Sequence, residues 1–307
     1  MERLSSKDVL RADQFSVEEI DVILKKAAGY EAALKEERTL EELRGRVLAT
    51  LFFEPSTRTR LSFEAAMHRL GGQVISVAEA KSTSAAKGET LHDTIRTVEG
   101  YADVIVLRHP EIGSAAEAAA ATHRPVLNAG DGAGQHPTQS LLDLYTIRAE
   151  QGRVDGLKIA LAGDLRNGRT VHSLADLLAN YDVEFTFAAP DALRMPTEIV
   201  ERLRARGKTV VETENLADAI ASCDVLYMTR IQRERFDDPA EYDRLKNAYV
   251  LTKESLGPAK ASLTIMHPLP RVNEIATDVD GLSGAAYFRQ AANGVPVRMA
   301  LLSLVTR

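Results

Sequence analysis

A chain of 307 residues is long for one hydrophobic core, so two domains of α/β size are the expectation. Lys and Arg number 38 against 44 Asp and Glu, a net charge of −6, which argues against a protein built to coat nucleic acid. A composition that is 45% hydrophobic and 27% charged excludes a disordered chain, and the single cysteine, Cys223, excludes an intrachain disulfide or a Cys-cluster zinc site.

The opening MERLSSKDVLRADQF is too charged for a signal peptide, and no apolar run approaches the ~18 residues of a membrane span. A cytoplasmic chain with neither membrane nor nucleic-acid partner is expected. A helical stretch over roughly 16–44 leads into VLATLFF (47–53), a buried strand. A helix then runs from Thr57 to Leu70, with Phe63, Ala66, Met67 and Leu70 on one stripe and Gly71-Gly72 as its stop. QVISVA (73–78), DVIVLRH (103–109) and PVLNAG (125–130) read as further strands, with helices near 90–100 and 114–121 between them. PTQSLLDLYTIRAEQG (137–152) reads as a helix joining two halves. A second alternation follows, with strands at 157–163, 183–189, 208–213, 224–229 and 262–268. The polar stretch 232–249 suits a mobile loop, and RMALLSLV (298–305) a final helix. This rhythm predicts an α/β protein of two doubly wound domains, each a mostly parallel sheet flanked by helices. The boundary falls near 135–150. Ligands of such sheets bind outside the carboxyl ends of the strands.

Glu54-Pro55-Ser56-Thr57-Arg58-Thr59-Arg60 stands where a strand ends and a helix begins. Ser56 is placed as N-cap, and free N–H groups, three hydroxyls and the Arg58 guanidinium would surround a phosphate there. The plainer alternative is a capped helix with solvated arginines. No Walker pattern is present, and the glycines at 163 and 168 do not make a dinucleotide fingerprint, so no nucleotide cofactor is implied.

FEPSTRTRLSFE (53–64), KGETLHDTIR (87–96), LRHPE (107–111), NAGDGAGQHPTQSLLDLYTI (128–147), GDLRNGRTVHSL (163–174), TRIQRERF (229–236) and MHPLPR (266–271) run in one order along the chain. Together they resemble the signature of the aspartate/ornithine carbamoyltransferase family. The aspartate branch is the better match, because HPLP (267–270) stands where ornithine enzymes characteristically carry HCLP. Two carboxylates on the second substrate also call for bidentate arginines, and Arg169 and Arg230 stand at strand exits.

The resemblance implies transfer of the carbamoyl group of carbamoyl phosphate to the α-amine of L-aspartate, in pyrimidine biosynthesis, in a cleft between the domains. It assigns Ser56, Thr57, Arg58, Thr59 and Arg108 to the phosphate, with Thr59, Arg108 and His136 on the carbonyl oxygen. Gln139 and the backbone carbonyls of Leu269 and Pro270 would hold the carbamoyl nitrogen. Arg169, Arg230, Gln232 and Lys87 would take aspartate. Lys87 would come from a neighbouring chain of a catalytic homotrimer, with a hydroxyl from Thr83 or Ser84. Residues 1–135 plus 286–307 would form the carbamoyl-phosphate domain and 136–285 the aspartate domain, with 136–150 as a linking helix. Regulatory chains and a dihydroorotase are further partners that the resemblance allows. No metal or other cofactor is implied, and His68, His92, His109, His123, His172 and His267 are expected to be structural. Taken singly, each site residue also has a plain reading as a solvated or capping group.

Overall fold

The computed structural model describes residues 4–79, 84–233, 236 and 238–306. The chain divides into two compact units, Met1–Leu142 with Asn293–Arg307, and Asp143–Ala292.

In the first unit, α1 (Val17–Lys35) opens on a reciprocal cap. Ser16 Oγ accepts from Glu19 N at 3.2 Å while the Glu19 carboxylate accepts from Ser16 N at 3.0 Å. Ile20, Ile23, Leu24, Ala27 and Tyr30 form its buried stripe. The helix stops at Lys35, well short of residue 44, because Glu37 turns into the left-handed region at φ 54°. Strands β1 (Val47–Phe52), β2 (Gln73–Val77), β3 (Val104–His109) and β4 (Val126–Asp131) pair in parallel in the order β2-β1-β3-β4. Helices α2 (Thr57–Arg69), α3 (Leu91–Val98) and α4 (Ser114–Ala121) connect them. Ala49, Leu51, Ile105, Leu107 and Val126 of the sheet pack with Ile95, Ala118 and Ala121 of the helices in one core. β2 is an edge strand, largely exposed, so its apolar residues do not signal a buried position.

Helix α5 (Pro137–Gln151) carries the chain into the second unit. There β5 (Leu157–Ala162), β6 (Val183–Ala188), β7 (Val210–Thr213), β8 (Val225–Met228) and β9 (Thr264–Met266) pair in parallel as β7-β6-β5-β8-β9. Between them lie α6 (Arg169–Leu178), α7 (Thr197–Ala205), α8 (Leu216–Ser222) and α9 (Pro239–Leu245). The stretch read as a mobile loop therefore contains α9, which starts as the Asp238-Pro239 pair dictates: Asp238 Oδ1 accepts from Ala240 N at 2.8 Å and Pro239 occupies the first turn. Finally α10 (Tyr287–Val305) is eleven residues longer at its start than the expected 298–305 helix, and it tolerates Pro296 within it. At Gly294 on α10 a Cβ would strike the Arg298 guanidinium, so a side chain there would need that buried arginine to move.

Both sheets are thus wound outward in two directions from an inner strand. In the first unit the direction switches between β1 and β3, and in the second between β5 and β8. Crevices that accept ligands open at the carboxyl ends of such strand pairs.

Candidate active site

At the first switch point, pairing of Phe52 with Arg108 brings the ends of β1 and β3 level. Arg108 Nη2 meets Glu54 Oε2 at 2.9 Å, and its Nη1 donates to Ala129 O at 3.2 Å. The Arg108 side chain is only 12% exposed, so its fork is held in one orientation before any ligand arrives. Ser56 is the N-cap of α2, but its hydroxyl makes no capping bond, unlike Ser16 on α1. That hydroxyl is left for another acceptor or donor beside the N–H groups of the first turn. Thr57 and Arg58 are exposed and Thr59 is buried. Desolvation by the surrounding protein pushes the Arg58 pKa below its ordinary value, although the residue exposes much of its area. The group stays protonated at neutral pH, and an anion beside it would relieve the deficit.

The turn after β4 presents His136 and Gln139. Gly132, at φ 56°, passes so close to Pro110 that a Cβ would collide with the Pro110 carbonyl oxygen. Asp131 closes the turn, accepting from Gln135 N at 2.6 Å, Gly113 N at 3.0 Å and Asn128 Nδ2 at 3.2 Å. His136 and Gln139 are both buried, with Gln139 N donating to His136 O at 3.0 Å in the first turn of α5.

In the second unit, the remaining residues follow three neighbouring strands. Gly163 follows β5 at φ 115°, packed so tightly on Thr229 that no side chain fits. Asp164, fully buried, accepts from Asn167 N at 3.0 Å and folds the turn that leads to Arg169, the first residue of α6. Burial pushes the Asp164 carboxyl above its ordinary pKa, and the Asn167 bonds pull against that. Arg230 and Gln232 follow β8, both half-buried, and Gln232 Nε2 donates to Asn167 O at 3.3 Å. The exits of β5 and β8 are joined by that bond. Leu269 and Pro270 follow β9, with Leu269 at φ 56°. A leucine in the left-handed region costs about 1–2 kcal/mol, so the surrounding structure must hold it there.

The structure places Ser56, Thr57, Arg58, Thr59, Arg108, His136 and Gln139 in the first unit and Arg169, Arg230, Gln232, Leu269 and Pro270 in the second, Arg108 within β3 and the others after strands; the expected bounds put His136 and Gln139 on the linking helix of 136–285. Lys87 and Ser84 sit elsewhere, on an exposed 3-10 turn (Ser84–Lys87) ahead of α3, and Thr83 lies outside the described residues. Glu54, Asp131 and Asp164 were assigned no role from sequence, although all three lie within the quoted motifs. Their importance is visible only once their bonds to Arg108, the 131–135 turn and Asn167 are seen. Among the described residues no three His, Cys, Asp or Glu side chains gather as a metal site, and no described helix is long and apolar enough to cross a membrane.

Residues 7–149 match the family model described as aspartate/ornithine carbamoyltransferase, carbamoyl-P binding domain, and residues 155–305 match its Asp/Orn binding domain. The aspartate carbamoyltransferase catalytic subunit of Thermococcus gammatolerans is 58% identical over 300 residues, spanning 98% of this chain and 97% of that relative. The solved catalytic subunit of M. jannaschii aspartate transcarbamoylase superposes with a TM-score of 0.92 at 52% identity, covering 98% of each chain. A structure of aspartate transcarbamoylase from Trypanosoma cruzi in complex with carbamoyl phosphate and aspartate gives 0.93 at 42% identity, covering 98% of this chain and 97% of that one.

Proposed function

The chain belongs to the aspartate/ornithine carbamoyltransferase family, and from that premise we propose how its residues transfer the carbamoyl group of carbamoyl phosphate to the α-amine of L-aspartate. The products are N-carbamoyl-L-aspartate and phosphate, and the reaction serves pyrimidine synthesis, which we place in the cytoplasm. One observation supports this reading above the others. The cations and hydroxyls needed by two anionic substrates stand at or after strand ends at the switch points of both sheets, with Arg108 held by Glu54 on one unit and Gln232 bonded to Asn167 on the other.

The first unit takes carbamoyl phosphate. Ser56, Thr57, Thr59 and the N-terminal turn of α2 receive the phosphate oxygens, with Arg58 and Arg108 supplying charge. Gln139, with the carbonyls of Leu269 and Pro270, fixes the carbamoyl nitrogen. The second unit takes aspartate, Arg169 and Arg230 facing its carboxylates with Gln232 beside them. The neutral α-amine attacks the carbonyl carbon, and a C–N bond forms as the carbonyl electrons move onto oxygen. Thr59, Arg108 and His136 stabilise that oxyanion. Its collapse breaks the C–O bond to phosphate, which leaves with the electron pair and accepts the proton released from the former amine. Much of the acceleration comes from orientation, since the reacting atoms must be held within about 3–3.5 Å.

We assign Lys87, with Ser84 or Thr83, to the active site of a neighbouring chain in a catalytic homotrimer. An exposed 3-10 turn suits a residue that works across an interface. His136→Ala and Lys87→Ala chains are each expected to lose about 10²-fold in turnover, since each removes a charged or polar contact to the reacting groups. Mixed and reassembled, the two mutants should regain a substantial share of activity, because some sites then draw both intact residues from different chains. An inert mixture with verified subunit exchange would contradict a shared site, and near-normal turnover by His136→Ala alone would remove it from the oxyanion.

A further inference from the structure

The turn that carries Leu269 and Pro270 is supported by buried side chains that the mechanism above leaves unused. Leu269 N donates to His267 Nδ1 at 2.8 Å. A backbone N–H can only donate, so Nδ1 carries no proton and the ring proton sits on Nε2. From there it is donated to Glu274 Oε1 at 2.7 Å. The two side chains are 1% and 5% exposed. The second Glu274 oxygen accepts from Val272 N and Asn273 N, both at 3.1 Å. Burial pushes the Glu274 carboxyl up, yet the bond from His267 and the backbone donors hold it below its ordinary pKa, so it remains the acceptor this arrangement needs.

A second arm reaches the same histidine. His267 N donates to Gln290 Oε1 at 2.8 Å, and Gln290 Nε2 donates to Asp143 Oδ1 at 2.6 Å. Tyr227 of β8 donates its hydroxyl to the other Asp143 oxygen at 2.8 Å. Gln290, Asp143 and Tyr227 are all buried. Each bond in this arm has one possible direction, because a peptide N–H cannot accept and a carboxylate cannot donate.

We propose that His267, held in its Nε2–H tautomer by Glu274 and backed by Gln290 and Asp143, is the positioning residue that aims the Leu269 and Pro270 carbonyls at the carbamoyl nitrogen. It acts through the backbone and not on the substrate, and the inference rests on the assignment of those two carbonyls made above. Leu269 needs such a fastening because its backbone occupies a region that leucine enters reluctantly. Released from Nδ1, the peptide can rotate and the carbonyls lose their aim, while the phosphate residues of the other unit are untouched. The signature is a selective loss of carbamoyl phosphate affinity, with inorganic phosphate still bound.

Three variants of the full chain read this out. Asparagine at 267 can offer an acceptor where Nδ1 lies but cannot reach Glu274; glutamine can reach Glu274 but gives up the Nδ1 acceptor. In Glu274→Gln the amide must turn its NH2 either to the two backbone donors or to His267. The first choice sets donor against donor, and the second forces the ring proton onto Nδ1 against Leu269 N–H. His267→Gln and Glu274→Gln should therefore raise the dissociation constant of carbamoyl phosphate about tenfold or more and that of inorganic phosphate by less than about twofold. His267→Asn should retain more of the carbamoyl phosphate affinity than His267→Gln. The opposite ranking, or equal weakening of both ligands, would show a structural role only. If the substitutions at 267 do not fold, Gln290→Met, which frees His267 N, is judged by the same split between ligands. A wild-type chain that fails to bind carbamoyl phosphate would overturn the assigned function itself; one that binds it while the variants show no split would overturn the positioning role alone.

Discussion

Arg58→Ala is expected to lower kcat by roughly 10³-fold or more, with a smaller rise in the KM for carbamoyl phosphate. The asymmetry follows from when the charge appears. The leaving phosphate gains negative charge as the C–O bond breaks, so a guanidinium beside it is stronger in the transition state than in the bound substrate. Removing it therefore falls on kcat as well as on binding. Arg58→Lys should recover only part of the loss, since an ammonium restores charge without the planar fork. The check is steady-state kinetics at saturating aspartate on both variants. A kcat for Arg58→Ala within tenfold of wild type would remove the residue from the leaving-group phosphate.

The second large effect is expected at Arg230. Arg230→Ala should raise the aspartate KM about 10²-fold, in line with loss of a charged bidentate partner, with a smaller change in kcat at saturation. Aspartate's carboxylates keep their charge through the reaction, so a cation that holds one stabilises ground and transition states nearly equally. Such an interaction appears mainly in KM. The geometry makes the contact costly to replace: Arg230 leaves β8 beside Gln232, whose amide is bonded to the turn that delivers Arg169. Initial rates against aspartate concentration decide it, and an unchanged aspartate KM would contradict the role of Arg230 as a carboxylate clamp.

What the sequence made legible was whatever is local. The strand–turn–helix around 47–70 could be read because buried β-branched and apolar runs, a serine at the N-cap position and a helical stripe are all encoded within a few residues. The same holds for the strand that carries Arg108 and for those that precede Arg169 and Arg230. Where a tertiary contact overrides local preference, reading failed. The final helix starts eleven residues before the expected 298 and runs through Gly294 and Pro296, which disfavour a helix in isolation, with Gly294 lying against Leu142 of α5 and the Arg298 guanidinium one turn on. Helix α9 was passed over for the opposite reason: its Asp-Pro start was present, but its polar composition suggested a loop. In the site, the groups proposed to touch substrate were legible because they lie in contiguous motifs. The groups that orient them were not. His267 looked like a structural histidine, and nothing in the spacing to Glu274 or Gln290 reveals that all three meet behind Leu269.

Carbamoyl transfer to aspartate is tested most directly by a paired assay of the purified chain with carbamoyl phosphate and either L-aspartate or L-ornithine, with the products identified. N-carbamoyl-L-aspartate should form together with one equivalent of phosphate. The specificity constant for ornithine should be lower by at least about 10³-fold, because arginines placed for a carboxylate would meet its side-chain ammonium. Transfer to ornithine at a comparable rate, or phosphate release without a carbamoylated aspartate, would contradict the claim.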